Sequence, residues 1–129
     1  MSGRLSVRQV FKVLVIDDEL SILENFRLYL EKHGYEVVTA PDGLSGFDKF
    51  KASSFDLVIT DIAMPYISGI TLLQVIKDTQ PDMPVFVMTG YGEYAEKVAW
   101  EKDADLILQK PFQMSEVGKA IKKLLEGAQ

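Results

Sequence analysis

Short apolar runs and amphipathic stretches alternate along the chain. The first amphipathic stretch carries apolar residues at i, i+4, i+7 and i+8: Ile22, Phe26, Tyr29 and Leu30. This spacing is typical of one face of a helix, and Gly34 is a suitable residue to end it. Between such stretches lie runs of three to six residues rich in Val, Ile, Leu and Phe, which favour β-strands. The pattern predicts five strands alternating with five helices.

The order of these elements predicts the fold class. The predicted strands are residues 13–16, 36–39, 55–60, 85–88 and 106–108, and the later helices are 43–53, 70–78, 91–102 and 114–126. Alternating strands and helices form a parallel sheet covered on both faces, an α/β doubly wound architecture. The apolar runs "VLVI" and "VFVM" suit buried strands, and the more polar 36–39 suits a sheet edge.

Three helices carry an apolar face that is expected to meet the sheet. The inward residues predicted from spacing are Leu44, Phe47 and Phe50 in the second helix; Tyr91, Ala95 and Val98 in the fourth; and Val117, Ile121, Leu124 and Leu125 in the fifth. Trp100 on the fourth helix is either an anchor for a partner or a partly buried core residue.

Composition narrows the classes of function. A chain of 129 residues fits one domain, and its net charge of −5 argues against direct binding of nucleic acid. No apolar run reaches the ~20 residues that cross a bilayer, so no membrane segment is expected. The absence of cysteine is consistent with a cytoplasmic location. With His33 as the one histidine, any metal site has to use oxygen ligands.

Polar side chains stand at the carboxyl ends of four predicted strands. Asp17 and Asp18 follow the first strand, Asp61 the third, Thr89 the fourth and Lys110 the fifth. In open parallel sheets, ligands bind outside these strand ends. Three carboxylates, a hydroxyl and an ammonium are therefore expected to converge on one edge of the sheet.

Each residue taken alone also has a purely structural explanation. Acids after a strand often begin the next helix, which is the role expected for Glu19 in the trio that it forms with Asp17 and Asp18. Asp61 would suit a turn, Thr89 a helix cap and Lys110 a solvated surface. Carboxylates brought together without a cation repel each other strongly, so the set as a whole favours a site.

The chemistry open to this set is narrow. Mg²⁺, or Mn²⁺ as an alternative, is the natural ion for a site built from oxygen ligands. An aspartate carboxylate is able to accept a phosphoryl group and form an aspartyl phosphate. The metal, the Lys110 ammonium and the Thr89 hydroxyl would each take one phosphoryl oxygen.

These segments resemble the receiver domain of two-component response regulators. The matching motifs are "VLVIDDE", "DLVITDIAMPYISG", "VFVMTGYG" and "LILQKPF", in the order of the family and at similar separations. The segment from Thr89 to Lys110 is one residue shorter than is usual in the family. The resemblance covers residues 11–126, which leaves 1–10 as an N-terminal extension and 127–129 as a C-terminal tail. It implies a flavodoxin-like (βα)5 sheet in the order 2-1-3-4-5.

The resemblance also implies a role for each acid. Asp61 would be the phosphoacceptor, and Asp17 and Asp18 would form the acidic pocket beside it. Asp18, Asp61 and the backbone carbonyl of Ala63 would ligate Mg²⁺, with Asp17 acting through water. The donor would be a histidine kinase or a phosphotransfer protein, and the chain would accept the group without enzymatic turnover of its own.

The same resemblance implies a switch. Lys110 would contact the acceptor and then the phosphoryl group, its bond to Pro111 would be cis, and Thr89 would be the switch hydroxyl. The family usually has an aromatic residue where this chain has Ile107, which is either a plain core residue or a modified switch. Asp103 stands where a glycine is common.

Two further positions tune the lifetime of the phosphorylated form in the family. They correspond to Ala63, which offers no group to orient a water, and Tyr91, which would shield the phosphoryl group or simply pack inward. We hypothesise slow autodephosphorylation, and an unchanged phosphoryl half-life in Tyr91→Ala would contradict the shielding role.

The expected output is a change in the face made by the fourth helix, fifth strand and fifth helix. This face would contact a downstream protein, an effector domain or a second copy in a phosphorylation-dependent homodimer. Two rival functions remain: a receiver-like binding module that works without phosphorylation, and a Mg²⁺-dependent phosphohydrolase. The second is weakened by Ala63, because haloacid dehalogenase enzymes have an acid two residues after the nucleophile.

Overall fold

A computed structural model describes residues 9–90 and 93–127, and its centre is a five-stranded parallel sheet. The strand order is β2-β1-β3-β4-β5, which confirms the predicted α/β doubly wound fold. The strands are β1 (Lys12–Ile16), β2 (Glu36–Ala40), β3 (Leu57–Asp61), β4 (Val85–Thr89) and β5 (Leu106–Gln109).

Five helices cover the two faces of the sheet. They are α1 (Leu20–Lys32), α2 (Gly43–Ala52), α3 (Gly69–Thr79), α4 (Glu93–Glu101) and α5 (Met114–Glu126). The last matches the predicted range, whereas the predicted start of the fourth helix lies outside the described residues. Within 9–90 and 93–127, every helix is too short or too polar to cross a bilayer.

The core is divided by the sheet into two layers, because alternate side chains of a strand point to opposite faces. On one face, Leu14 and Val87 pack with residues of α2, α3 and α4, including Phe50 and Leu72. On the other, strand residues such as Val15 pack with residues of α1 and α5. Each strand is thereby fixed from both sides, which holds the strand ends in place.

The edge and interior positions of the strands follow the sequence pattern. The more polar β2 lies at one edge of the sheet, as expected. β1 is an interior strand, and Val13, Leu14, Val15 and Ile16 are all fully buried. The central position of the five belongs to β3.

Two predicted inward residues are wrong. Leu44 is 50% exposed, because α2 buries Gly43, Gly46 and Phe50 instead. Leu124 is 41% exposed, since Val117, Gly118 and Ile121 form the buried face of α5. In both helices glycines allow closer packing than apolar spacing suggests, and this turns the contact face. Trp100 is half exposed on α4, consistent with partial burial.

Two loop residues other than glycine have a left-handed backbone. Asp103 has φ 71°, which explains why a glycine suits this position, although Asp tolerates the conformation better than most residues. Tyr66 also has φ 71°, and its side chain is 84% exposed. A bulky side chain is unfavourable in this region, so the loop after Asp61 is held in a strained conformation.

Candidate phosphoacceptor site

The acidic pair follows the end of β1. The backbone N–H of Asp17 donates to the carbonyl of Ala40 at 3.1 Å and so extends the pairing with β2 by one residue. This holds the Asp17 side chain in the interior, where it is fully buried, whereas Asp18 is exposed at the edge. The two adjacent acids therefore have different environments.

Asp61 is the last residue of β3, and it is buried, with 5% of its surface exposed. The next residue, Ile62, donates its N–H to Met88 at 3.1 Å, which keeps the end of β3 on β4. Ile62 also accepts the N–H of Gly69 at 2.8 Å. Ser68 caps α3 by accepting the Thr71 N–H at 3.2 Å. The start of α3 is thus fixed against Asp61.

Gly69 is a site residue that the sequence reasoning missed. A Cβ at this position would overlap the carbonyl oxygen of Asp61 and lie 2.8 Å from Ile62 Cα. Because this obstacle is backbone, it is unable to move away as a side chain would. The only sequence signal was a glycine that directly precedes a predicted helix.

Lys110 and Thr89 are brought together by the pairing of β4 with β5. The Lys110 N–H donates to the Thr89 carbonyl at 2.8 Å, one step beyond the last paired residues. Thr89 is buried at the end of β4. The Lys110–Pro111 peptide bond is cis.

The Lys110 ammonium contacts three carboxylates. Its Nζ lies 2.9 Å from Asp17 Oδ2, 3.2 Å from Glu19 Oε1 and 3.3 Å from Asp61 Oδ1. The structure thus brings the predicted lysine to two of the predicted acids.

The contact with Glu19 corrects an expectation. Glu19 does begin α1 in the backbone sense, at the N-cap position, but among the described residues its side chain caps no N–H. The Lys110 ammonium attracts it instead. The letters "DDE" were the available signal, but they do not distinguish a capping acid from one that pairs with a distant lysine.

An open depression of about 380 Å³ lies over these groups. Its lining residues are Asp18, Glu19, Asp61, Ala63, Gly90 and Lys110. Ala63 is exposed in it. Tyr91 lies outside the described residues, so its shielding role stays a prediction. The volume is enough for an ion with its waters and a phosphoryl group.

The electrostatics of the site favour an added cation. Burial, and then repulsion from Asp17, raises the pKa of Asp61 to about 6, with Lys110 only partly opposing the rise. Burial also raises the pKa of Asp17, against the hydrogen bonds from Lys110 and the Glu19 N–H. Burial alone would lower the pKa of Lys110, but its carboxylate partners outweigh this and raise it. Ionised carboxylates are held here at a cost.

The acids also fit a divalent ion geometrically. One carboxylate oxygen from each of Asp17, Asp18 and Asp61 lies within 4.8 Å of the others. Oxygens on opposite sides of a bound Mg²⁺ are about 4.2 Å apart, so the acids need only small movements to share an ion. A hard cation with oxygen ligands matches this donor set, and the three acids are able to bind a divalent metal.

Ile107 lies on β5, which pairs with β4. It pairs with Val87 in the sheet register and packs, partly buried, against the core layer that contains Ala99 and Ala104. This packing is compatible with a plain core role and with a modified switch, so both stay predictions.

Comparison with known proteins decides the family. The sequence model described as "Response regulator receiver domain" matches residues 13–122. The chain belongs to this family. The receiver domain is 34% identical over 115 residues to the alkaline phosphatase synthesis transcriptional regulatory protein PhoP of Bacillus subtilis, and 36% identical to the probable transcriptional regulator ycf27 of Cyanophora paradoxa. In both comparisons the aligned region makes up 88% of this chain and 48% of the relative. The chain therefore spans about half the length of these curated relatives.

Solved structures agree with this assignment. A response regulator receiver domain protein from Clostridium thermocellum is 37% identical, with a TM-score of 0.83 over 92% of this chain and 96% of that one. The response regulator TrrA from Thermotoga maritima, solved in complex with Mg²⁺ and BeF, is 36% identical, with a TM-score of 0.81 over 90% of this chain and all of the other. The receiver domain therefore shares both sequence and fold with its relatives.

Proposed function

We propose that the receiver domain accepts a phosphoryl group on Asp61 and uses it to change an interaction surface. The observation that carries this proposal is the position of Asp61: nearly buried, 3.3 Å from the Lys110 ammonium and beside two further acids. The ionised Asp61 carboxylate is held at a cost, as its raised pKa indicates, and a bound cation would offset the repulsion around it. A carboxylate oxygen in this position is able to form a bond to phosphorus.

A divalent ion, Mg²⁺ or alternatively Mn²⁺, would be held by Asp18, Asp61 and the backbone carbonyl of Ala63, with Asp17 acting through water. Asp18 and Ala63 are exposed in the depression, where an ion and its waters have access. The ion would neutralise negative charge on the phosphoryl oxygens. TrrA, with its bound Mg²⁺ and BeF, is a precedent in a relative of similar fold.

In the transfer step, an Asp61 carboxylate oxygen attacks the phosphorus of the donor. The bond from phosphorus to the donor breaks as the bond to Asp61 forms, and the donor leaves with the electron pair. Lys110 turns its ammonium to one phosphoryl oxygen, and the Thr89 hydroxyl moves to another. The donor is the phosphohistidine of a histidine kinase or of a phosphotransfer protein.

The movement of Thr89 would reach the output face through β4 and β5. The direct hydrogen bond between the Lys110 N–H and the Thr89 carbonyl links the two responding residues. Ile107, packed in the core, would follow this movement by repacking. The face made by α4, β5 and α5 would then contact a downstream protein, an effector domain or a second copy of the chain.

The setting we propose is cytoplasmic phosphorelay signalling. A net charge of −5 supports protein partners over nucleic acid. The domain division into 1–10, 11–126 and 127–129 remains a proposal. Because the curated relatives are about twice as long as this chain, an effector domain is a natural partner. We propose no independent turnover, because Ala63 has no carboxylate to activate a hydrolytic water.

Intact-mass analysis after incubation with Mg²⁺ and acetyl phosphate tests this function. We expect one added phosphoryl group in the natural sequence and none in Asp61→Asn or in the presence of a chelator. Absence of any adduct would favour a binding module that works without phosphorylation. Repeated hydrolysis of small phosphomonoesters would favour a phosphohydrolase instead.

A further inference from the structure

Glu19 occupies an unusual place beside Lys110. Its carboxylate lies 3.2 Å from the ammonium, on the exposed side of the site, whereas Asp17 and Asp61 approach from the interior. The Glu19 side chain is 59% exposed and that of Lys110 is 18% exposed. Within the described residues the Glu19 side chain makes no capping hydrogen bond to α1, so capping does not account for its position.

The backbone explains how Glu19 reaches the lysine. Its N–H donates to Asp17 Oδ1 at 2.8 Å, and its carbonyl accepts the N–H groups of Ile22 and Leu23 at 3.1 and 3.3 Å. These bonds fix Glu19 between the acidic pocket and the first turn of α1. The side chain is thereby held close to Lys110 by the same residue, Asp17, that also binds the ammonium.

An ammonium has three N–H donors, and here three carboxylates surround it. The Lys110 Nζ donates hydrogen bonds to Asp17 and Glu19 and lies 3.3 Å from Asp61, so a phosphoryl oxygen would compete with these contacts for the ammonium. Asp61 is the acceptor itself, and a released Asp17 would leave a fully buried carboxylate without its cation, which is costly. Glu19 loses least on release, because water solvates its exposed carboxylate.

We propose that Glu19 is a positioning residue that holds Lys110 in the resting state and competes with the phosphoryl group for it. This inference rests on the proposed function, since it assigns Lys110 to a phosphoryl oxygen. Removal of the contact is expected to make the phosphorylated geometry easier to reach. An ion pair with one half-exposed partner is weak, so the effect is a change of about two- to fivefold.

Binding of beryllofluoride, used as a phosphoryl mimic, in saturating Mg²⁺ is the most direct test. Apparent dissociation constants are measured by amide NMR shifts for the natural sequence, Glu19→Gln, Glu19→Asp and Glu24→Gln. Glu19→Gln removes the charge but keeps the shape, and Glu19→Asp keeps the charge but shortens the reach. Glu24→Gln is the matched control. Glu24 is an exposed acid of α1 that pairs with Arg27 and not with Lys110, so this variant removes the same charge without touching the site.

We expect both Glu19 variants to bind beryllofluoride about two- to fivefold more tightly than the natural sequence, with Glu24→Gln unchanged. If Glu19→Asp matches the natural sequence while Glu19→Gln binds more tightly, net charge alone is responsible and the positioning role is wrong. The role is also wrong if both Glu19 variants match Glu24→Gln. Failure of the natural sequence to bind the mimic would contradict the proposed function itself.

Discussion

Asp61 is the residue at which burial and charge repulsion act together. Its pKa is raised to about 6 in the folded chain, against an ordinary value of 3.8. Between these two values the folded state binds more protons than the unfolded state, so stability falls as the pH rises through this window. The ionised acceptor is therefore destabilising at neutral pH until a cation compensates its charge.

Replacement of this carboxylate by a neutral amide should remove the cost. We expect Asp61→Asn to be more stable than the natural sequence at pH 7.5 by up to about 3 kcal/mol, at about 1.4 kcal/mol per unit of pKa displacement. The gain should shrink as the pH falls toward 4, where both proteins carry a neutral group at this position. Urea unfolding of both proteins in the presence of a chelator, between pH 4 and 7.5, measures this difference. If the difference in the free energy of unfolding does not change with pH, the raised pKa of Asp61 is wrong.

At this scale the sequence identified which residues meet but not all their contacts. Asp17, Asp61 and Lys110 were predictable because each follows a strand in a parallel sheet, and such ends share one edge. The pairing of Glu19 with Lys110 was not predictable, because the Glu19 side chain was able either to cap α1 or to pair with the lysine. The left-handed backbone of Tyr66 was equally hidden, because intrinsic preference disfavours it and only the folded loop imposes it.

Among the elements, the junction of β3 with α3 is the most tightly built part of the site. Gly69, the first residue of α3, lies directly against the backbone of Asp61 and Ile62. A side chain here has to push the helix away from the acceptor strand. The position of the acceptor thus depends on a residue that has no chemistry of its own.

Gly69→Ala is expected to destabilise the fold by about 1–3 kcal/mol, because overpacking against backbone forces a local shift. Phosphorylation from acetyl phosphate should slow as well, since the shift moves Asp61. Gly90→Ala is the control, because a Cβ there meets no described atom within 4 Å. Urea unfolding compares the two variants. Equal stabilities would show that the close approach at Gly69 is not a constraint.

The strand and helix periods predicted the elements well, but the contact faces of α2 and α5 less well. Apolar spacing placed Leu44 and Leu124 inward. In both helices, however, the buried face includes glycines: Gly43 and Gly46 in α2 and Gly118 in α5. A glycine gives no hydrophobic signal, although it allows close approach. Periodicity therefore identifies a helix more reliably than it identifies the side on which the helix packs.

For the whole molecule, the acidic site is expected to couple cation binding to stability. Asp17, Asp18 and Asp61 come from two strands and converge only in the folded chain. An ion that binds this arrangement and not the unfolded chain stabilises the fold by mass action. The acids that lower stability on their own thus become a source of stability once the ion is present.

Mg²⁺ at tenfold its dissociation constant is expected to raise the free energy of unfolding by about 1.4 kcal/mol. Asp18→Asn should lose most of this increase, because Asp18 is the exposed acid of the cluster. Asp82→Asn should keep the full increase in the free energy of unfolding. Asp82 is an exposed acid that precedes β4, and so it lies at the amino ends of the strands, away from the site. Unfolding curves with and without Mg²⁺ decide this, and equal increases in the two variants would contradict the assigned site.

We expect the phosphoryl group to be attached to Asp61. The most direct measurement is borohydride reduction after treatment with Mg²⁺ and acetyl phosphate, followed by peptide mass spectrometry. Reduction converts an aspartyl phosphate to homoserine and marks the residue that carried the group. We expect homoserine at position 61, and only when Mg²⁺ is present. Homoserine at position 17 or 18, or a phosphoryl adduct that leaves Asp61 unreduced, would contradict this assignment.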